Sequence, residues 1–274
     1  MSGGADIFAG QPSDADRLAE LYDFEHDAIT EDLGFYRELA RRTRGSVLDL
    51  GCGSGRLFAP LLDGGARRIV GVDASAALLR RAAGRVAADP QLAQAAAAGR
   101  IELVECDVRA FVRPEHFSLI VVAGVLPHLD GPAGVLHLLR VARRRLTRGG
   151  RVVLDDIGPG LLPARDLPLS IDWRRRMHGQ RLTRFSQLLR RKVGDGVEVA
   201  FSTLVEAVEA DGTISRLPAS YRLWYPSLRE LERLVGAAGL SVELTCGSHD
   251  LDPLDRNSER RILVARRPGP RVEP

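Results

Sequence analysis

The sequence predicts an α/β fold: a doubly wound parallel sheet, interrupted late in the chain by an antiparallel insertion and preceded by a helical segment. Three observations carry this. Five short apolar runs, 46–50, 68–73, 101–105, 118–123 and 151–155, alternate with helix-spaced segments, as in a parallel sheet covered on both faces. The first run ends at Leu50 and opens into Gly51-Cys52-Gly53-Ser54-Gly55. After residue 157 the apolar period falls to two.

The elements follow in order. Residues 1–45 read as helices and are expected to form a lid. Ser13 suits a cap ahead of Leu18, Leu21 and Tyr22, and a second helix with Leu33, Tyr36 and Leu39 follows Thr30. Residues 46–157 form the ligand-binding core. Within it, 75–87 is an Ala/Leu-rich helix, and 132–147 places Val135, Leu138, Leu139, Ala142 and Leu146 on one face before Gly149-Gly150. The insertion spans 158–225. A Pro/Gly/Leu segment and residues 170–180 lead to three expected strands, 182–193, 197–209 and 213–225, joined at Gly194-Asp195-Gly196 and Asp211-Gly212. Residues 226–274 close the core: Ser227 and Glu230 give a capping-box pattern for a helix over 227–239, and strands follow at 241–246 and 259–266.

Composition narrows the function class. The 274 residues are 45% hydrophobic and 27% charged, enough for a large core. Basic residues exceed acidic ones by only 39 to 36, and Lys192 is the sole lysine, so the arginine clusters read as solvated faces rather than a nucleic-acid track. No apolar run of about 18 residues is present to span a membrane, and the first residues do not resemble a signal peptide. Cys52, Cys106 and Cys246 are far apart and form no metal or disulfide pattern. These features predict a reduced, cytoplasmic protein.

The glycines set the chemistry. A strand, a glycine-rich turn and a helix let a ligand approach the backbone and meet free N–H groups. Asp73 ends the second strand, 22 residues after Gly51, where a carboxylate can accept both ribose hydroxyls. Asp107 follows the third strand, placed to accept from an adenine amino group. The loop departs from the dinucleotide fingerprint, because Arg56 stands where a third glycine is required. Asp49 would repel a pyrophosphate but suits a ligand with an ammonium group. S-adenosylmethionine carries an ammonium, a sulfonium and a ribose, and no phosphate.

"VLDLGCGSG", "IVGVDAS", "VECDV" and "LIVVAGVLPHL", in this order, resemble the motifs of class I S-adenosylmethionine-dependent methyltransferases over 46–156, with 227–266 closing the fold. The resemblance implies a Rossmann-like, seven-stranded sheet whose last strand runs antiparallel. It implies that Gly51, Gly53 and Gly55, in the loop with Asp49 and Cys52, pass beside the methionine part. Asp73 would hold the ribose, Asp107 and the Val108 backbone the adenine, Ala74 and Leu78 the adenosine, and the Ala123 backbone the ammonium end. Tyr22, in "ELYDFEHD", would lie near the transferred methyl.

The acceptor segment, "AGVLPHLD", lacks the (Asp/Asn)-Pro-Pro-aromatic pattern of enzymes that act on amide or nucleobase nitrogens. It also has no acid between Leu119 and Leu129, so Asp155-Asp156 alone would not complete a metal site. His128 is the expected base or orienting group. Asp156, Trp173, His178, Phe201, Tyr221 and Trp224 are the expected acceptor contacts. The insertion resembles that of small-molecule N-methyltransferases of the amino-sugar and glycine types, which implies a homodimer. The expected reaction is methyl transfer to an amine, electron-rich aromatic carbon or hydroxyl of a specialised metabolite. Two alternatives remain open at this point: a nucleic-acid methyltransferase, and a protein that binds the cofactor without transferring methyl.

Overall fold

The structure is a computed structural model that describes residues 12–208 and 212–269, and the side chains of residues 14–208 and 212–269. The side chain of Ser13 and residues 209–211, where one hairpin turn was expected, lie outside this description.

A seven-stranded sheet forms the core, in the order β10-β11-β5-β4-β1-β2-β3. Its strands are β1 (Ser46–Leu50), β2 (Arg68–Asp73), β3 (Ile101–Glu105), β4 (Phe117–Ala123), β5 (Leu146–Ile157), β10 (Ser241–Cys246) and β11 (Arg260–Arg266). β1 pairs in parallel with β2 and β4, as do β2 with β3 and β4 with β5. β11 runs antiparallel between β5 and β10. The strand set read from the sequence and the reversed last strand implied by the resemblance are therefore both present.

β1 is central, which explains a run buried on both faces. Leu48 and Leu50 join Val70, Val72, Ile120 and Leu154 under α6 (Pro132–Arg145) and α7 (Leu228–Ala237). Val47, Ile69, Leu119 and Val153 face the other way, onto α2 (Leu33–Thr43) and α3 (Phe58–Asp63). The remaining helices are α1 (Pro12–His26), α4 (Ala76–Ala88) and α5 (Pro90–Ala97).

Three local expectations change. α6 ends at Arg145 and the chain passes directly into β5, because Leu146 is fully buried and pairs with Phe117. Only half of the capping box forms at α7. The Ser227 hydroxyl accepts from the Glu230 amide, but the Ser227 amide donates to the Asp195 carbonyl and the Glu230 carboxylate binds Arg233. Finally, the insertion holds four strands, not three: β6 (Leu167–Met177), β7 (Gln180–Val193), β8 (Gly196–Val208) and β9 (Ile214–Pro226). β6 escapes a period-2 reading because it is an edge strand, largely exposed on both faces, with register shifts against β7. Its turn is His178-Gly179, both at positive φ (49° and 83°), as a two-residue hairpin of the primed type demands.

Candidate active site

The glycine loop leaves β1 at the carboxyl edge of the sheet. Gly51, Gly53 and Gly55 all adopt positive φ, at 82°, 54° and 75°. A Cβ on Gly51 would lie 2.1 Å from the Val125 side chain, so glycine is required there for space as well as for backbone. The Gly51 and Cys52 amides donate to the Val72 carbonyl. The Gly53 amide donates to Asp73 Oδ2 at 2.8 Å, and the Ser75 amide to Asp73 Oδ1 at 2.9 Å. Asp73 thus ties the loop to the start of α4, where Ser75 accepts from the Leu78 amide.

Asp49 lies beneath this loop, 2% exposed, and its Oδ2 has no hydrogen-bond partner. Burial, and then the charge of Asp73, push its carboxyl up to about 7. A buried acid without a partner beside a cradle of three positive-φ glycines fits the ammonium end of S-adenosylmethionine. Cys52 is buried, with its thiol raised well above the usual range by burial and the nearby carboxylates, which makes it an inert loop residue.

Tyr22 reaches the loop from α1. A Cβ on Gly53 would lie 3.4 Å from Tyr22 Oη. The ring stacks on His26 at 4.1 Å, and burial raises the phenol to about 12. Tyr22 is therefore a neutral hydroxyl, able to donate but not to act as a base. Arg56, at the missing glycine position, makes two hydrogen bonds to Asp32 and one to the Ile29 carbonyl, anchoring the segment between α1 and α2 to the loop.

Around the expected adenine position the placements differ in detail. Ala74 is exposed at the end of β2, and Val108 is buried beside Phe111 and Val72. Leu78 is buried against α1 and the accessory sheet rather than open to a ligand. The Asp107 carboxylate is bound by the Arg109 guanidinium, which also binds Asp130, and these hydrogen bonds hold it below the ordinary carboxylate range. Ala123 is half-buried where β4 ends, and the next amide, Gly124, donates to the Asp155 carbonyl.

His128 sits in a short 3-10 turn after β4 (126–128), edge-on to Tyr221 of β9 at 6.2 Å. Burial lowers its pKa below the ordinary histidine value. Tyr221 in turn stacks on Phe201 of β8 at 6.1 Å. The inner face of the four-stranded sheet thus closes over the carboxyl edge of the core. That face has apolar ends. At one, Leu182, Val205 and Leu217 pack on α1; at the other, Val199, Leu223 and Tyr225 pack near Ile157 and Leu162. Between them lies a polar row, Arg184, Ser186 and Thr203, set by the strand register. Trp173 joins it from β6, and its indole N–H donates to Glu25 of α1 at 3.1 Å.

Three expected acceptor contacts lie elsewhere. Trp224 is 4% exposed, on the opposite strand face from Tyr221, in the core beneath α6 and α7. An indole beside Gly196, where a Cβ would meet Nε1 at 2.6 Å, is a packing group. His178 is exposed at the hairpin tip, 3.1 Å from Glu20. Asp156 is buried with Oδ2 unpartnered, and burial, partly offset by Arg261, raises its carboxyl to about 7. Its neighbour Asp155 accepts from Tyr36 and Arg260 and pairs with His249, a structural staple between strands and α2. Glu25 and Arg184 were missed. Glu25 stands three residues after Tyr22, hence on the same helical face, and Arg184 is a charge in the apolar phase of a strand. Those two spacings were the available signals.

Residues 47–150 match the family model described as Methyltransferase domain. With the fold and the glycine loop, the match makes this segment a methyltransferase domain. A tRNA U34 carboxymethyltransferase from Shewanella amazonensis is 32% identical over 120 residues, which cover 43% of this chain and 33% of that protein, so the chain matches about a third of that relative's length. Among solved structures, the CcbJ methyltransferase from Streptomyces caelestis superposes with a TM-score of 0.73 at 22% identity, over 92% of this chain and 96% of that one. CalS10, an amino pentose methyltransferase from Micromonospora echinaspora solved with S-adenosylmethionine bound, gives 0.65 at 19% identity, over 90% and 96%. These two likenesses extend across the accessory sheet as well as the core, and at such identities they speak for the fold.

Proposed function

We propose that the chain methylates an amine on a small molecule, with residues up to 45 as lid, 46–157 as cofactor-binding core, 158–225 as acceptor roof and 226–269 closing the sheet. The observation that carries this reading is the contact of His128 with Tyr221. It puts an uncharged imidazole of the core beneath an aromatic roof, at the sheet edge where the glycine loop lies. S-adenosylmethionine supplies an electrophilic methyl group on sulfur. The chain's own work is to bind, orient and deprotonate. Asp49 accepts the cofactor's ammonium, Asp73 the ribose hydroxyls, and the neutral Tyr22 hydroxyl donates near the methyl. An amine arrives as an ammonium and must lose a proton before it can attack; a neutral His128 ring nitrogen takes that proton. α1 and the roof exclude water and hold the approach. The similarity to amino-sugar enzymes supports an acceptor from specialised metabolism.

Calorimetry of S-adenosylhomocysteine binding tests the cofactor site. Burial raises the free Asp49 carboxyl to about 7, and a bound ammonium favours its ionised form, so binding should release protons near pH 7 and none well above it. The release is read from buffers of different ionisation enthalpy. Asp49→Asn should weaken binding and abolish the release. Binding without proton release would remove Asp49 from the site. The tRNA-modifying relative defines the competing reading: labelled methyl appearing in bulk tRNA and not in a panel of primary amines would favour it.

Leu167, Leu169 and Ile171 stand exposed on edge strand β6, and the chain pairs as a homodimer that covers them. Sedimentation velocity should show a dimer that Leu169→Asp disperses; a monomeric parent protein would refute this.

A further inference from the structure

We propose that Glu25 is a specificity-determining anchor for a cationic group of the acceptor, held in place by Arg184 and Trp173. Glu25 lies on α1 one helical turn beyond Tyr22, so it is next to the glycine loop without being part of it. Arg184 binds it at 2.9 Å and the Trp173 indole donates at 3.1 Å, and both contacts end on Oε1. Among the described residues nothing donates to Oε2. Three further polar groups nearby are likewise open: no described residue hydrogen-bonds to the His128 ring or to the Tyr221 hydroxyl, and Arg184 Nε is buried without a hydrogen-bond partner. The Arg184 guanidinium lies 5.8 Å from the centre of the Phe201 ring, which stacks on Tyr221, so this group continues into the aromatic roof.

Charge selects the ligand. Arg184 also pairs with Asp172 at 3.6 Å, and Asp172 accepts from Ser186 at 2.6 Å. Glu25 and Asp172 face Arg184, and the Arg175 guanidinium lies 5.3 Å from the centre of the Trp173 ring, so two acids are matched by two cations, and it is the open Glu25 Oε2, flanked by Trp173, Phe201 and Tyr221, that offers a cation its place. An aromatic enclosure with an open carboxylate oxygen favours an ammonium over a carboxylate or phosphate. Arg184 plays two parts: it fixes Glu25 Oε1, and it repels a cation that strays from Oε2. This inference rests on the amine-methylation reading but does not need turnover to be tested.

The probe is benzylammonium, compared with benzoate and benzyl alcohol, titrated in the presence of S-adenosylhomocysteine. The readout is the fluorescence of Trp173, the tryptophan that touches Glu25; Trp224, the other one, is in the core. Benzylammonium should give a saturable change, and benzoate none. Glu25→Gln keeps an acceptor for the indole and should weaken benzylammonium on the order of tenfold or more. Glu25→Asp should retain part of the binding. Arg184→Gln should tighten benzylammonium or leave it unchanged. Circular dichroism and S-adenosylhomocysteine affinity check that each variant folds. Benzylammonium that fails to bind, or binds Glu25→Gln as well as the parent, overturns the proposal. Benzoate that binds and is lost in Arg184→Gln assigns the anchor to Arg184 instead. Loss of S-adenosylhomocysteine binding in the parent protein would overturn the methylation reading while leaving the cation readout intact.

Discussion

In the proposed reaction, His128 acts through its uncharged form. Burial lowers its pKa, so the imidazole is neutral over a wider range than an exposed histidine. Turnover should therefore rise with pH through an acid limb below about 6.5 and then level. His128→Asn should lower turnover by roughly 10²–10⁴-fold if the residue is the base, and should erase the limb, with little change in cofactor affinity. The linked stability has the matching sign. A histidine depressed in the folded state contributes stability that is present above its unfolded pKa and lost as pH falls through the folded one. A variant with normal turnover and an unchanged pH profile would reduce His128 to a structural group under Tyr221.

At the scale of elements, α1 is fastened to α4 by a row of ion pairs. Arg80 binds Asp16, Arg81 binds Asp23, and Arg85 binds Asp27 while its Nε donates to the Ser54 carbonyl in the glycine loop. A cavity of about 800 Å³ lies among these side chains and includes none of the loop glycines. Arg85 thus joins the end of α1, α4 and the loop in one side chain. Arg85→Met should speed S-adenosylhomocysteine release by about 3–10-fold in stopped-flow fluorescence, as expected for a loosened gate. High salt should move the parent protein the same way, since each of these pairs has an exposed partner and is screened in part. An unchanged release rate would mean that α1 does not gate the site.

At the scale of the whole molecule, the accessory sheet is joined to the core by the end of β9. Trp224 points into the core from the strand that carries Tyr221 on its other face. Arg261, buried on β11, donates to the Pro226 carbonyl at the same junction. Trp224→Ala should cost about 3–5 kcal/mol in urea unfolding, as for other large core truncations. The folded fraction should keep its acceptor preference. A change of preference at unchanged stability would return Trp224 to the pocket.

The sequence alone determined the α/β order, the five parallel strands and the glycine loop with Asp49 and Asp73, while the reversed last strand followed from the family resemblance. Each of the first three is a local or periodic signal: a run buried on both faces, a turn that only glycine satisfies, an acid at a strand end. It also singled out His128, Tyr22, Phe201, Tyr221 and Trp173, because their types are rare and their positions fall at strand ends, on α1 or on strands, and their roles are those proposed above. It misjudged Trp224, since whether a strand residue faces roof or core depends on pairing register, which a one-residue shift inverts. It read residues 170–180 without a strand, because an exposed edge strand shows no alternation. Glu25 and Arg184 are 159 positions apart, and their ion pair exists only because α1 packs under β7. Which residues share the face that closes over the sheet edge was decided by the tertiary structure, because that face is assembled from elements whose contacts are distant in the chain.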